Sequence, residues 1–145
     1  MFANQLLKFK TVDEVLWGIT KYAIVKLNYE DCIVYLYDYD LNSFVQRAAH
    51  GPKNVGNFEI LNRITLKFGE GICGDVAAKG VGEIVNDTSV DKRYIADDNE
   101  RLSELTVPIS IDGKIVGLID SEHRLKNYYS SQDLKTLEAI CNVLN

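Results

Sequence analysis

A cysteine in a glycine-rich turn is the side chain of this sequence best suited to chemistry. Cys73 lies in the run GEGICG, residues 69–74, at the first turn of a short helix predicted over residues 72–79. Amide dipoles at a helix N-terminus can lower the pKa of a thiol and favour the nucleophilic thiolate. Cys73 is therefore a candidate reactive group.

Three carboxylates form the second candidate group. Asp120 and Glu122 fall on one face of a predicted strand because side chains alternate along a strand, and Glu104 enters from the neighbouring strand. Acids that meet over a concave floor favour a ligand with an ammonium or guanidinium group. The alternative is that a basic side chain, with Arg93 and Glu104 as the expected pair, neutralises them and pins the preceding loop to the sheet.

A β-hairpin must position these acids. The runs from Leu105 to Ile111 and from Lys114 to Ile119 are apolar and β-branched, and only Asp112-Gly113 joins them. Those two residues readily take the positive φ angles of a two-residue hairpin turn. A polar loop from Asn86 to Ser103 precedes the hairpin and would cover it.

The first half of the chain predicts a helix followed by strands. The run TVDE, residues 11–14, is a capping box that starts a helix ending at about Lys26. Its apolar stripe comprises Val12, Leu16, Ile19 and Ala23. An earlier helical piece is predicted over Met1 to Phe9. Strands are predicted from Cys32 to Tyr37, from Ser43 to His50, from Arg63 to Phe68 and in a brief run through Val85.

The last predicted helix starts near Ser130 and carries a heptad-like stripe. Its members are Leu134, Leu137, Cys141 and Leu144. The stripe either packs on the sheet or contacts a second copy of the chain, and the pattern fits both. No glycine or proline ends this helix before Asn145, so we expect an excised fragment of a longer protein.

The order of these motifs resembles the GAF domain, a small sensory module of histidine kinases, cyclic-nucleotide enzymes and phytochromes. The motifs are the glycine-rich turn, NDTS at 86–89, DKRYI at 91–95, RLSELTVP at 101–108 and DSEH at 120–123. The resemblance covers nearly the whole chain. It implies one α+β domain over residues 1–145, related to the PAS fold. Such a domain has a central antiparallel sheet of about six strands, the terminal helices on one face and a loop-covered pocket on the other.

One branch of the family, the free methionine-(R)-sulfoxide reductases, has a cysteine in the same turn. Its ligand-binding positions match Glu104, Asp120 and Glu122, whereas its catalytic cysteine would fall at about Asp97 here. Sulfoxide reduction needs a thiolate and a second thiol, and aspartate supplies neither. Reductase activity is therefore the alternative function. Cys32 and Cys141 are interpreted as small hydrophobic residues.

The resemblance implies a regulatory domain without catalytic activity of its own, with a sensor histidine kinase as the expected parent by analogy. A small molecule, which the sequence does not identify, would bind at the loop and hairpin. The candidate ligand-binding residues are Cys73, Asp97, Ser103, Glu104, Asp120 and Glu122. Its signal would pass through terminal helices that pair in a homodimer. A dimerisation spacer that binds no ligand is the remaining alternative.

Composition excludes several classes of function. The formal charge is -5, and no basic cluster exceeds Lys92-Arg93, so nucleic acid is not an expected partner. Three cysteines without a CxxC pair, and two histidines without paired spacing, predict no disulfide framework, metal site or cofactor. No Cys-His pair suits a bilin, and cyclic-nucleotide motifs are poorly reproduced. No apolar run approaches the roughly 20 residues that span a bilayer, so we expect a cytoplasmic protein without direct membrane contact.

Overall fold

A six-stranded antiparallel sheet separates two unlike layers of the molecule. The computed structural model of the chain describes residues 11–97 and 99–144. In chain order the elements are α1 (Val12–Lys26), β1 (Cys32–Asp38), β2 (Ser43–His50), β3 (Thr65–Leu66), α2 (Gly71–Lys79), β4 (Glu83–Val85), a 3₁₀ turn (Thr88–Val90), β5 (Ser103–Ile111), β6 (Lys114–His123) and α3 (Ser131–Leu144). The strand order across the sheet is β3-β2-β1-β6-β5-β4. The predicted α+β, GAF-like architecture is confirmed, while the helical piece predicted over Met1 to Phe9 lies outside the described residues.

Helix α1 begins and ends where the sequence predicts. The Thr11 hydroxyl accepts a hydrogen bond from the Glu14 amide at 3.1 Å, which caps the first turn. Leu16, Ile19 and Ala23 are buried against the sheet. The predicted stripe is wrong at its first position, where Val12 is 64% exposed. The first turn of α1 stands over an open apolar groove instead of the sheet.

The central hairpin is confirmed, and its turn has the predicted backbone. Asp112 and Gly113 have φ angles of 51° and 79°. Strand β6 pairs with β5 on one side and with β1 on the other, so β1 and β6 form the middle of the sheet. Burial on both faces follows from this position, and it explains the apolar character of β1.

The strand predicted from Arg63 to Phe68 is much shorter in the structure. Only Thr65–Leu66 pairs with β2, at the edge of the sheet. The Ile64 amide donates to the Gln46 side chain at 3.2 Å instead of extending the strand ladder. Phe68 has left the sheet and packs edge-on against Phe44. Side-chain contacts therefore replace backbone pairing at both ends of β3.

The stripe of α3 packs on the sheet. Leu137 and Cys141 are buried, and α3 contacts β5. Pairing of this helix with a second copy stays a prediction. Within residues 11–97 and 99–144, no helix is both long and apolar enough to cross a bilayer.

Candidate functional site

The candidate pocket lies on the face of the sheet that α2 covers. Helices α1 and α3 share the opposite face, where Val12 of α1 and Leu144 of α3 line one groove with Leu36 and Ile109. The pocket is enclosed by β1, β5, β6, α2 and residues 91–97, which we name the cover segment. The groove on the helix face is larger, about 590 Å³, but among the described residues its lining holds no carboxylate, amine, imidazole or thiol. The predicted thiol and carboxylates line the smaller pocket instead.

Cys73 faces the carboxylates from the first turn of α2. Its Sγ donates to Glu104 Oε2 at 3.6 Å and lies 3.9 Å from Thr106 Oγ1. Gly74 allows this approach because a Cβ there would lie 2.3 Å from the Lys67 carbonyl oxygen. The predicted lowering of the thiol pKa is wrong. Burial raises the pKa of Cys73, and the charges of Asp120 and Glu104 raise it further.

The register of β5 and β6 brings the three predicted carboxylates together. Glu104 pairs with Glu122, and Thr106 pairs with Asp120. The Thr106 hydroxyl donates to Asp120 Oδ1 at 2.5 Å and lies 3.4 Å from Glu104 Oε2. Glu104 and Asp120 also share a hydrogen bond.

Burial raises the pKa of all three carboxyls, and it is the largest cause in each case. Repulsion from Asp120 further raises the pKa of Glu104 and of Glu122. At Asp120 itself, the hydrogen bonds that its carboxylate accepts oppose the rise in pKa. Like charges this close do not all ionise together. The cluster can therefore hold and donate a proton.

The carboxyl group of Glu122 is only partly hydrogen-bonded among the described residues. Its carboxyl is hydrogen-bonded to the Tyr94 hydroxyl, and its backbone amide donates to Asp31 Oδ1 at 2.6 Å. Its Oε1 atom is buried and, among the described residues, has no hydrogen-bond partner. Buried polar atoms are normally paired, so an orphaned oxygen in the pocket lining indicates a place for a donor or a cation.

Asp97 is fixed in the pocket wall by two side chains that the sequence analysis missed. Lys53 Nζ lies 2.8 Å from Asp97 Oδ1, and the side chains of this ion pair are 2% and 7% exposed. Gln46 Nε2 donates to Asp97 Oδ2 at 2.7 Å and to the Tyr35 hydroxyl at 3.0 Å. Lys53 also donates to the Asn62 carbonyl at 2.7 Å. Asp97 is thus an anchored group with both carboxylate oxygens engaged.

Ser103 is the one predicted site residue that the structure does not bring to the pocket. Strand alternation turns it away from Glu104, and its hydroxyl donates to the Leu125 carbonyl at 2.6 Å. Ser103 therefore holds the chain that follows β6. By contrast, Thr106 was missed although its position two residues after Glu104 puts it on the same face of the strand.

The predicted pairing of Arg93 with Glu104 is wrong. Arg93 binds three other acids, with 2.7 Å to Asp75 Oδ2, 2.5 Å to Glu83 Oε2 and 2.7 Å to Asp91 Oδ2. This arginine does tie the cover segment to α2 and β4. It leaves the buried carboxylates to other partners.

The pocket is smaller than the expected hollow. Its enclosed volume is about 20 Å³, enough for a single water molecule or ion. Side chains of the protein itself fill the remainder, with Ile95 and Asp97 entering from the cover segment and Ile64 from the chain before β3. A larger ligand requires the cover segment to move.

The chain is similar to a known domain family and to several characterised proteins. The profile of the GAF domain family matches residues 10–144. The chain is 36% identical over 81 residues to Protein YtsP of Bacillus subtilis, which is 56% of this chain and 50% of that protein. It is also 36% identical over 81 residues to a free methionine-R-sulfoxide reductase of Saccharomyces cerevisiae, with 55% and 45% covered. The chain thus spans about half the length of the curated relatives it matches.

Solved structures show the same fold at lower identity. A GAF domain from Acinetobacter phosphoenolpyruvate-protein phosphotransferase has a TM-score of 0.87 at 16% identity, covering 99% of this chain and 85% of that one. A free methionine-R-sulfoxide reductase from Neisseria meningitidis, in complex with its substrate, has a TM-score of 0.86 at 22% identity, covering 99% and 81%. The expectation of a domain without catalytic activity is contradicted, because its relatives include these enzymes. The sensor histidine kinase parent stays a prediction.

Proposed function

Because the chain belongs to the GAF domain family, we propose that its pocket binds a free amino acid sulfoxide of the methionine-R-sulfoxide type and that Cys73 reduces it. The observation that carries this proposal is the Cys73 thiol, 3.6 Å from the Glu104 carboxyl within a buried cluster of acids. The 36% identity to a free methionine-R-sulfoxide reductase supports the substrate class.

The acids supply the proton transfers that the reaction needs. The Cys73 thiol gives its proton to Glu104, and the resulting thiolate attacks the sulfoxide sulfur. A protonated carboxyl of the cluster donates its proton to the sulfoxide oxygen, a role suited to an acid whose pKa is raised by burial. The attack forms a bond between the Cys73 sulfur and the substrate sulfur, which now carries the hydroxyl group. That hydroxyl then moves from the substrate sulfur to the Cys73 sulfur as the sulfur–sulfur bond and the substrate S–O bond break, so the sulfide leaves and Cys73 becomes a sulfenic acid.

An external thiol must complete the cycle. Cys32 lies close to Cys141, on the side of the sheet where α3 packs, and neither lines the pocket. A donor thiol therefore attacks the sulfenic acid, releases water and forms a mixed disulfide with Cys73. A second donor thiol then restores Cys73 and leaves as a disulfide.

Substrate entry requires the cover segment to open. The enclosed volume of about 20 Å³ is far below that of an amino acid. Two contacts keep the segment closed: the Lys53–Asp97 ion pair, and the packing of Ile95 against Gly71 at the start of α2. Opening breaks contacts that a bound ligand then replaces, so binding and opening are coupled.

The test is turnover of free methionine-R-sulfoxide with a small dithiol as donor, with methionine measured by chromatography. We expect methionine formation by the native chain and its loss in Cys73→Ser. The matched control is Cys141→Ser, which removes a buried thiol outside the pocket and should keep the activity. No methionine from folded native protein, or full activity in Cys73→Ser, contradicts the proposal.

A regulatory role is the second candidate, and the placement of the terminal helices favours it. Strands β1 and β5 line the pocket on one face, and on the other β1 contacts α1 and β5 contacts α3. A ligand that moves the cover segment could bias these helices only by favouring one of their arrangements. Hydrogen exchange in α1 and α3, with and without methionine sulfoxide, tests this. Unchanged exchange at saturating ligand excludes it.

A further inference from the structure

The geometry of the carboxylate cluster points to a second kind of ligand, and we propose that Cys73, Glu104 and Asp120, assisted by Glu122, bind one zinc ion. This inference does not rest on the proposed reduction of a sulfoxide. It requires neither an amino acid ligand nor opening of the cover segment.

The donor atoms are already near the spacing of a zinc site. One ligand atom from each of Cys73, Glu104 and Asp120 lies within 4.8 Å of the others. With zinc–sulfur and zinc–oxygen bonds of about 2.3 Å and 2.0 Å, tetrahedral geometry separates sulfur from oxygen by about 3.5 Å. The distance from Cys73 Sγ to Glu104 Oε2 is 3.6 Å. One edge of the tetrahedron therefore exists. The second sulfur–oxygen edge needs to shorten by at most about 1.3 Å and the oxygen–oxygen edge by at most about 1.5 Å.

Glu122 provides an independent sign of a missing partner. The residue is only 4% exposed, and its Oε1 has no hydrogen-bond partner within the part of the chain that the structure describes. It lines the same pocket as the three donors. A cation in the pocket would satisfy this oxygen, as a fourth ligand or through a bound water.

Volume and charge favour a small dication. The pocket holds about 20 Å³, which suits one ion and excludes an amino acid in the closed arrangement. Lys53 is already bound to Asp97, and Arg93 is already bound to Asp75. Among the described residues, neither of these two cations is paired with the three donor residues. A thiolate together with carboxylates is a borderline-soft donor set, which zinc accepts and magnesium or calcium do not.

The sequence pattern concealed this arrangement because its donors are far apart in the chain. Metal sites are recognised in sequence by pairs such as CxxC or by spaced histidines, and neither occurs here. In the structure, α2 contributes the thiol, and β5 and β6 contribute one carboxylate each. Only the sheet register brings the three into one pocket.

Cobalt(II) titration of the reduced, metal-stripped protein tests the proposal. Cobalt bound to a thiolate gives a near-ultraviolet sulfur-to-metal charge-transfer band. We expect this band to saturate at one cobalt per chain and to disappear when zinc is added. Cys73→Ser should abolish the band, whereas Cys141→Ser, the matched thiol control, should keep it.

The carboxylates are tested by affinity. Glu122→Gln and Asp120→Asn should each weaken zinc binding by about 10-fold or more. Circular dichroism identifies a variant that has not folded. The zinc affinity of the variant that does fold then tests the role of the carboxylates. No charge-transfer band in folded native protein, or an unchanged band in Cys73→Ser, overturns the zinc site. Neither result bears on methionine formation in metal-free buffer, so the two proposals fail separately.

Discussion

Asp97 stands at about the position where the resemblance to the reductase branch would put a catalytic cysteine. It is a carboxylate bound to Lys53 and Gln46. An ion pair so deeply buried is costly to desolvate and costly to break. Removal of one partner should therefore loosen the cover segment, because it leaves a buried charge without its counter-ion.

Loss of one partner of this pair should be strongly destabilising. Lys53→Met leaves Asp97 buried with only Gln46 as a partner, and we expect a loss of about 3 kcal/mol in the free energy of unfolding. Adding Asp97→Asn removes the uncompensated charge and should recover about 2 kcal/mol of that loss. Urea denaturation of the two variants and the native chain gives both values.

The matched control for Lys53→Met is an exposed ion pair. Arg47 and Asp13 lie 3.0 Å apart, with side chains 40% and 59% exposed. Arg47→Ala should cost less than about 1 kcal/mol, because solvent screens such pairs. Equal losses in Lys53→Met and Arg47→Ala would show that burial does not strengthen the Lys53–Asp97 pair.

His123 is another buried titratable residue, and its surroundings predict that stability depends on pH. Its ring stacks on Tyr128 at 3.5 Å, and its Nδ1 accepts a hydrogen bond from the Leu125 amide at 3.1 Å, which requires an unprotonated nitrogen. Burial lowers the pKa of His123 below its usual value of 6.5, although Glu30 opposes the shift. The unfolded chain therefore takes up a proton first as pH falls.

The expected sign follows from that lowered pKa. The stabilising contribution of neutral His123 is complete above the unfolded pKa and is lost as pH falls below it. His123→Phe keeps a ring for stacking but cannot titrate. Between about pH 7.5 and about pH 5.5 the native chain should lose more stability than the variant, by up to about 1.4 kcal/mol. Identical urea midpoint shifts in the two proteins would contradict this.

At the scale of elements, α2 depends on one close backbone contact. A Cβ at Gly74 would lie 2.3 Å from the Lys67 carbonyl oxygen and 3.2 Å from the Gly69 backbone. Helix α2 must therefore move if any side chain is added there. The position of Cys73 over the sheet follows from this glycine.

Gly74→Ala should therefore disturb both stability and the site. We expect a loss of about 2 to 3 kcal/mol, although alanine has the better helix propensity. The control is Lys79→Ala in the same helix, which removes an exposed side chain and its bridge to Asp75 and should cost less than about 0.5 kcal/mol. Thermal unfolding compares the two. A stabilised Gly74→Ala would show that the contact relaxes freely.

The elements that the sequence predicts correctly are those set by local chemistry. The Thr11 cap, the Asp112-Gly113 turn and the central position of β1 depend on neighbouring residues or on alternation. The extent of β3 depends on pairing with β2 and on the Gln46 side chain, which local sequence does not encode.

The same distinction holds for the site. Alternation along β5 and β6 brought Glu104, Asp120 and Glu122 together as predicted. Lys53 could not be predicted, because it follows Pro52 in an apparent surface turn and reaches Asp97 across 44 positions of sequence. The raised pKa of Cys73 could not be predicted from the sequence either, because it depends on burial beneath the cover segment and not on the helix terminus.

For the whole molecule, a bound ion should act as a stabilising ligand. Zinc at 100 times its dissociation constant should raise the free energy of unfolding by about 2.7 kcal/mol, and a chelator should remove the gain. Cys73→Ser should show little of this shift. Differential scanning calorimetry with and without zinc measures it, and an equal gain in Cys73→Ser would assign the metal to another part of the protein.

The closed cover segment also limits how fast a substrate can be captured. If entry waits for the Lys53–Asp97 pair to separate, the observed rate of complex formation will level off at the opening rate as substrate concentration rises. Apparent affinity will fall in proportion to the open fraction of molecules. In stopped-flow mixing, the observed rate of complex formation should therefore reach a plateau as substrate concentration rises, instead of increasing linearly.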